Sequence, residues 1–179
     1  MIRPIVEVPK SSRVMERTSG RGEGLEYFAD KLVAIFGYEI TKWRVLDVGG
    51  GDGWLGEFLP SLEYHCLDPY IYPPLNRPQN HFHVQGVAER LLFKEDSFDL
   101  VVSKQTLVHF DDPAAAVREM LRVASRAVVI RQEFPESPIG WPGHSHVTID
   151  GPDDVLVHLQ RPGWTTRYDG VDFVARLEV

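Results

Sequence analysis

Sulfur is scarce in this chain, whose 179 residues include one cysteine and three methionines. A single thiol, Cys66, cannot close an internal disulfide, so stability must come from an apolar core, and the expected setting is a reducing cytoplasm. Long apolar runs are missing as well. No stretch approaches the ~20 uncharged residues of a membrane helix. The opening MIRPIVEVPKSSR has no apolar segment followed by a small-residue cleavage site, so neither a membrane partner nor a secretory signal is expected. Positive charge is in deficit, with 19 Lys and Arg against 26 Asp and Glu and a net charge of -7. Phosphate backbones are bound by clustered cations, so nucleic acid is not expected as a partner. Arg13, Arg17 and Arg21 do recur at helical spacing, but such a run reads as a solvated arm.

What is present is ordinary for a chain able to bury a core: 43% hydrophobic and 25% charged residues. No internal repeat interrupts it. Residues 1–22, rich in Pro, Ser, Arg and Gly, read as an N-terminal arm, and 23–179 as a single domain. From Gly24 the pattern turns helical, with Leu25, Phe28, Ala29, Leu32 and Phe36 on one face and Gly37 as the stop. RVLDV (44–48) is a short apolar strand ended by glycines, and WLGEFL opens a helix that Pro60 stops. Further strands are predicted at 62–67, from Phe82, at 98–103 and at 127–131. Between the last two, Asp111 or Asp112 caps a helix with Pro113 in its first turn and Val117, Met120, Leu121 and Ala124 as its buried stripe. Residues 134–150 form a long loop. A helix started by Pro152 and stopped by Pro162-Gly163 follows, then strands around 164–168 and 171–177 joined by Asp169-Gly170, a hairpin signal. Strands alternating with helices predict an α/β fold: a doubly wound, mostly parallel, seven-stranded Rossmann-like sheet with an antiparallel C-terminal hairpin.

The stretch richest in information is VLDVGGGDGWLGEFL (45–59). Glycines where a strand passes to a helix let a ligand approach the backbone and its free N–H groups. GDGWLG satisfies the dinucleotide pattern G-x-G-x-x-G, a weak signal alone. The more telling register is D-x-G-x-G-x-G, with Asp47, Gly49, Gly51 and Gly53. A carboxylate beside the turn repels a pyrophosphate but suits a ligand bearing an amino group and a sulfonium. Asp68 ends the next strand about twenty residues on, where a carboxylate can accept hydrogen bonds from two ribose hydroxyls. GVAERLLFKEDSFDLVVSKQTLVHFDDP (86–113) follows at the expected remove.

These features together resemble the class I S-adenosylmethionine-dependent methyltransferases, in the branch that includes the quinone-biosynthesis enzymes, over about 25–133. The resemblance implies S-adenosylmethionine as cofactor, lying against Gly49, Gly50, Gly51 and Gly53. Asp47 would hold its amino-acid portion, Asp68 its ribose, and Pro69 and Tyr70 its adenine. Ala88 would offer the adenine ring a backbone N–H. The carbonyls of Ser103 and Lys104 would meet the methionine amino group. Two departures stand out. The position before Ala88, often Asp, is Val87, leaving Glu89 or a backbone carbonyl to take the adenine amino group. DPYIYPPLNRPQN (68–80), with four prolines, cannot hold the helix normally placed there, and an extended flap is predicted.

His109, just after the fourth strand, is the candidate general base, with plain packing as the competing reading. His144 and His146 could join it at a metal only with further ligands that do not identify themselves, so no metal is expected. His81 and His83 mark one face of an edge strand, and Cys66 packs as a small apolar side chain. Trp54, Tyr70, Tyr72 and Trp141 are candidates for lining an aromatic acceptor pocket, with loops 69–80 and 134–146 and the arm covering it. The function implied is methyl transfer to a small molecule. A non-catalytic S-adenosylmethionine-binding module is the alternative, and an NAD-dependent oxidoreductase using GDGWLG a more distant one.

Overall fold

The structure is a computed structural model that describes residues 20–70, 79–134 and 151–178, with the side chains of 20–23 excepted. The predicted arm up to residue 19, most of both long loops, and with them Tyr72, Trp141, His144 and His146 lie outside the described residues.

Seven strands form one sheet in the order β3-β2-β1-β4-β5-β7-β6. They are β1 (Arg44–Val48), β2 (Glu63–Asp68), β3 (His81–Gln85), β4 (Phe98–Lys104), β5 (Ala124–Arg131), β6 (Trp164–Tyr168) and β7 (Asp172–Leu177). The first five run parallel; β7 lies antiparallel to both β5 and β6. This is the α/β sheet that the alternation predicts, antiparallel end included. The order turns back between β1 and β4, and the carboxyl ends of strands at such a switch point are where open α/β sheets bind ligands.

Helix α1 (Gly20–Phe36) starts four residues before its apolar pattern and ends at Gly37, whose φ of 67° takes the chain out of helical space. Phe28, Ala29 and Leu32 are its buried face. They pack with Val45, Tyr64, Cys66, Leu100, Val102 and Val129, which alternate along the strands as a pleat requires. Helix α2 (Leu55–Phe58) is a single turn, shorter than its sequence suggests. Helix α3 (Pro113–Val123) covers the opposite face, with Ala116, Val117, Met120 and Leu121 set against Leu46, Val48, Val101 and Val128. Asp112 is its cap, accepting from the Ala115 N–H at 2.9 Å, and Pro113 occupies its first turn. The strand after it begins at Ala124, three residues early, because α3 passes straight into β5. Helix α4 (Pro152–Leu156) is shorter than predicted; Val155 and Leu159 are both buried, but the chain between them closes as a turn. The β6–β7 connection is held by the Asp169 carboxylate, which accepts from the N–H groups of Val171 and Asp172, with Gly170 at φ 100°.

Candidate active site

The carboxyl ends of β1, β2 and β4 meet at the turn 49–53. Positive φ falls on Gly49 (76°), Gly51 (60°) and Gly53 (82°), the alternate positions of the D-x-G-x-G-x-G register. Gly50 is a glycine for a different reason. A Cβ there would lie 2.6 Å from Asp47 Oδ2 and 2.8 Å from Cys66 Sγ, so the turn packs directly on the aspartate. At Gly49 a Cβ would meet Thr106 Cγ2 at 2.8 Å. Backbone N–H groups of Gly49 and Gly50 both point at the Leu67 carbonyl, which ties the turn to β2.

Asp47 alternates with Val45 along β1 and therefore faces α1. It is 4% exposed and accepts a short hydrogen bond from the Tyr64 hydroxyl. Burial pushes its carboxyl up to about 7; the Tyr64 bond and the Lys104 charge work against that shift, and the Asp68 charge adds to it. Burial likewise pushes the Tyr64 hydroxyl well up, so it stays a donor. No ion pair reaches Asp47 among the described residues.

Asp68 is 8% exposed at the tip of β2. Its Oδ2 accepts from the Gly51 N–H and its Oδ1 from the Tyr70 N–H, each at 3.0 Å. Burial raises its pKa, and those two N–H bonds oppose the rise. A carboxylate oxygen has two lone-pair directions, so each oxygen retains one for a further donor. Pro69 and Tyr70 follow it, exposed. Val87 is half exposed, Ala88 buried, and Glu89 sends its Oε1 to the N–H groups of Asp111 (2.8 Å) and Asp112 (3.3 Å). Glu89 thus ties the HFDDP segment to the loop that carries Ala88.

Ser103 is fully buried, and its side chain carries a job that sequence reasoning missed. Its hydroxyl donates to the Val48 carbonyl at 3.0 Å and bonds closely to the Thr106 hydroxyl, joining the tip of β4 to that of β1. Lys104 is half-buried with its Nζ close to Gly24 of α1; burial, then Arg131, lowers its pKa, while Glu133 and Asp47 oppose that. His109 is exposed at the end of a 3-10 turn, Leu107–His109, whose backbone N–H bonds to Thr106. The structure therefore gathers Asp47, Gly49, Gly50, Gly51, Gly53, Asp68, Ser103 and Lys104 round the carboxyl ends of β1, β2 and β4, with Val87, Ala88 and Glu89 on the loop after β3.

Further residues complete the β4 side. Gln105 takes φ 56°, rare for a side-chain-bearing residue, and its N–H bonds to the Arg131 carbonyl at 2.7 Å. Gln132 is 1% exposed and its Nε2 donates to Gln105 Oε1 at 3.0 Å. No spacing rule links residues 105 and 132, which is why pattern reading passes over them.

Chemically, this arrangement fits a nucleoside carrying a cationic amino-acid tail. Asp68 offers acceptors to vicinal hydroxyls, Asp47 is a buried acid with no cation within ion-pair distance among the described residues, and the turn between them carries no side chain larger than that of Asp52. Among the described residues no group of three or more His, Cys, Asp or Glu is placed to hold a metal ion, and no helix is long and apolar enough to cross a membrane.

Comparison with known proteins bears on this reading. Residues 46–129, from β1 to β5, match the family described as "Methyltransferase domain". A curated relative, the uncharacterized methyltransferase YcgJ of Bacillus subtilis, is 29% identical over 112 residues, covering 55% of this chain and 44% of its own length. The chain thus matches less than half of that relative. The crystal structure of YcgJ superposes with a TM-score of 0.57 at 17% identity, over 86% of this chain and 99% of that one. A methyltransferase structure from Bacillus halodurans gives 0.60 at 21% identity over 78% and 70%. A SAM-dependent methyltransferase from Aquifex aeolicus gives 0.57 at 15% over 86% and 96%. At these identities the superpositions establish the fold.

Proposed function

We propose that this chain, which carries a class I S-adenosylmethionine-dependent methyltransferase domain, transfers a methyl group from S-adenosylmethionine to a small-molecule acceptor in the cytoplasm. The observation that carries the reading is the buried Asp68 carboxylate at the tip of β2, locked by the Gly51 N–H across a turn with positive φ at alternate residues. A net charge of -7 and the deficit of cations support a small molecule over nucleic acid.

When bound, S-adenosylmethionine supplies a methyl group on a sulfonium, an electrophile with a good leaving group already attached. The chain's residues bind and align. Asp68 accepts hydrogen bonds from the ribose hydroxyls, and Ala88 presents its backbone N–H to the adenine while Glu89 fixes the neighbouring loop. Asp47, across the turn, balances the charge of the amino-acid portion, and the Ser103 and Lys104 carbonyls accept from its ammonium. Ser103 and Thr106 hold β4 against β1, so that acceptor and methyl carbon meet in line; orientation of this kind is worth ~7–11 kcal/mol of barrier. His109 is the residue we assign to remove a proton where the acceptor must lose one, a contribution of about 10²–10⁴-fold.

A melting comparison tests the reading. At 100-fold over its Kd, S-adenosylhomocysteine should stabilise the chain by ~2.7 kcal/mol, or roughly 5–10 °C, and NAD should leave Tm unchanged. A shift with NAD instead supports the oxidoreductase reading. A shift with S-adenosylhomocysteine but no methyl mass gain across a broad acceptor screen supports a binding module.

A further inference from the structure

We infer that Gln132 orients the methyl acceptor through its side-chain carbonyl, so that the acceptor carries an O–H or N–H donor at or beside the methylated atom. This rests on the methyltransferase reading and narrows its substrate class.

The polarity of the site is fixed by its own hydrogen bonds. The Glu133 backbone N–H lies 3.2 Å from Gln105 Oε1 and can only donate, so that oxygen is an acceptor. The end of the Gln132 amide that faces this oxygen at 3.0 Å also faces the Glu133 carbonyl at 3.0 Å. Two acceptors demand the NH2 group there; the reverse orientation would set oxygen against oxygen twice. Oε1 of Gln132 therefore points away from this pair, and it is buried with no hydrogen-bond partner among the described residues. The backbone of Gln132 cannot turn to correct this, because its N–H is bonded to the Val171 carbonyl at 3.1 Å.

Buried acceptors without a donor are rare, and each calls for a reason. Here the position supplies one. Gln132 directly follows β5, and its partner Gln105 directly follows β4, two adjacent parallel strands at their carboxyl ends. Gln105 holds its left-handed conformation through three hydrogen bonds, from its N–H to Arg131 and to its side chain from Gln132 and Glu133. Such local strain persists where the surroundings over-determine it. The next residue, Thr106, reaches Val48 at the start of the glycine turn. An oriented acceptor atom thus sits one strand beyond the site assigned to the cofactor's amino-acid portion, on a backbone pinned from both sides. A ligand donor meeting Oε1 completes the network, whereas a ligand with no donor leaves it incomplete and is selected against.

The test uses crystals of the full chain with S-adenosylhomocysteine, soaked separately with phenol, aniline and anisole as ring-matched probes. The expected result is phenol or aniline with its oxygen or nitrogen within hydrogen-bond reach of Gln132 Oε1 and no anisole there; which donor binds separates hydroxyl from amine acceptors. Bound S-adenosylhomocysteine with no probe at Oε1, with anisole in the same place, or with a protein N–H or O–H on Oε1 overturns this inference alone. Absence of S-adenosylhomocysteine overturns the methyltransferase reading beneath it. In solution, Gln132→Met should weaken binding of the favoured probe about three- to ten-fold with affinity for S-adenosylhomocysteine unchanged. Equal losses of both overturn the assignment and leave Gln132 a structural support.

Discussion

Two of the buried aspartates, Asp172 and Asp47, are treated in opposite ways. Asp172, at the start of β7, is 1% exposed and receives Lys31 of α1 on one oxygen and Arg131 of β5 on both, at 3.1 and 3.2 Å. Asp169 shares the Lys31 ammonium at 2.8 Å, and that bond above all brings its pKa down to about 2. Asp47 accepts from the Tyr64 phenol, has no cation within ion-pair distance among the described residues, and is pushed up to about 7 by burial. A buried carboxylate costs several kcal/mol unless paired. At the helix–sheet clamp the chain supplies the cations itself. At the glycine turn it supplies none within ion-pair distance among the described residues, and the missing charge is one a sulfonium and an ammonium can bring.

The largest effect should come from breaking the clamp. Asp172→Ala strands Lys31 and Arg131, both mostly shielded, with one carboxylate left for Lys31 and none for Arg131 among the described residues. Loss of one partner of a buried pair costs about 3–5 kcal/mol, and the lower end applies since both cations retain some water. Thermal melting should show a drop of roughly 6–12 °C. Affinity for S-adenosylhomocysteine should hold. A drop under 2 °C would mean that α1 is held by its apolar face alone.

Asp47 should behave in the contrary sense. Its folded pKa of about 7 lies above the ordinary 3.8, so between these values the folded chain binds more protons than the unfolded one. Stability contributed by this group is therefore present at about pH 4 and lost as pH rises towards 7, by up to ~4 kcal/mol. Asp47→Asn removes the titration, so relative to the variant the parent should lose ground between pH 5 and 8 in urea denaturation. A ligand bearing a sulfonium and an ammonium favours the ionised form, and so binding of S-adenosylmethionine at pH 6 should release protons from the parent and not from Asp47→Asn, read by calorimetry in buffers of different ionisation enthalpy. Parallel stability curves would place Asp47 outside this linkage.

Asp68 stands between the two, buried but bonded to backbone N–H groups. Asp68→Ala should cost about 1.5–3 kcal/mol of S-adenosylhomocysteine affinity, roughly 10- to 100-fold, from lost hydrogen bonds to a charged acceptor. The chain should remain folded, because Gly49 and Gly50 stay tied to Leu67. An unchanged affinity in a titration would remove Asp68 from the ribose role.

The sequence made this turn readable because its constraint is local. Positive φ at residues 49, 51 and 53 demands glycine at alternate positions, and the pattern shows in seven letters. The cap, narrowed by sequence to Asp111 or Asp112 and made by Asp112, and the Asp169-Gly170 reversal were legible for the same reason. The clamp and the Gln105–Gln132 pair were not, since their partners stand 141, 41 and 27 positions apart and carry no spacing signal. Ser103 was singled out for its carbonyl, but its hydroxyl spans 55 positions to Val48. Helix α4 ends at Leu156, well before the Pro162-Gly163 stop, because a turn takes over that still buries Leu159 and leaves no stop signal of its own in the sequence.

The smallest effect belongs to Asp112, which isolates one variable from the others. Like Asp68 it accepts a backbone N–H, at 2.9 Å from Ala115, but it stands exposed at the start of α3. If burial is what makes Asp68 matter, the same bond made in water should be worth far less. Asp112→Ala should cost about 1 kcal/mol, a Tm shift of roughly 2–4 °C, with S-adenosylhomocysteine affinity unchanged. Glu89 still holds the backbone N–H groups of residues 111 and 112, so the helix start is not released. A loss as large as that at Asp172, or one accompanied by weaker ligand binding, would show that the HFDDP segment transmits to the cleft and that exposure alone does not separate structural carboxylates from functional ones in this fold.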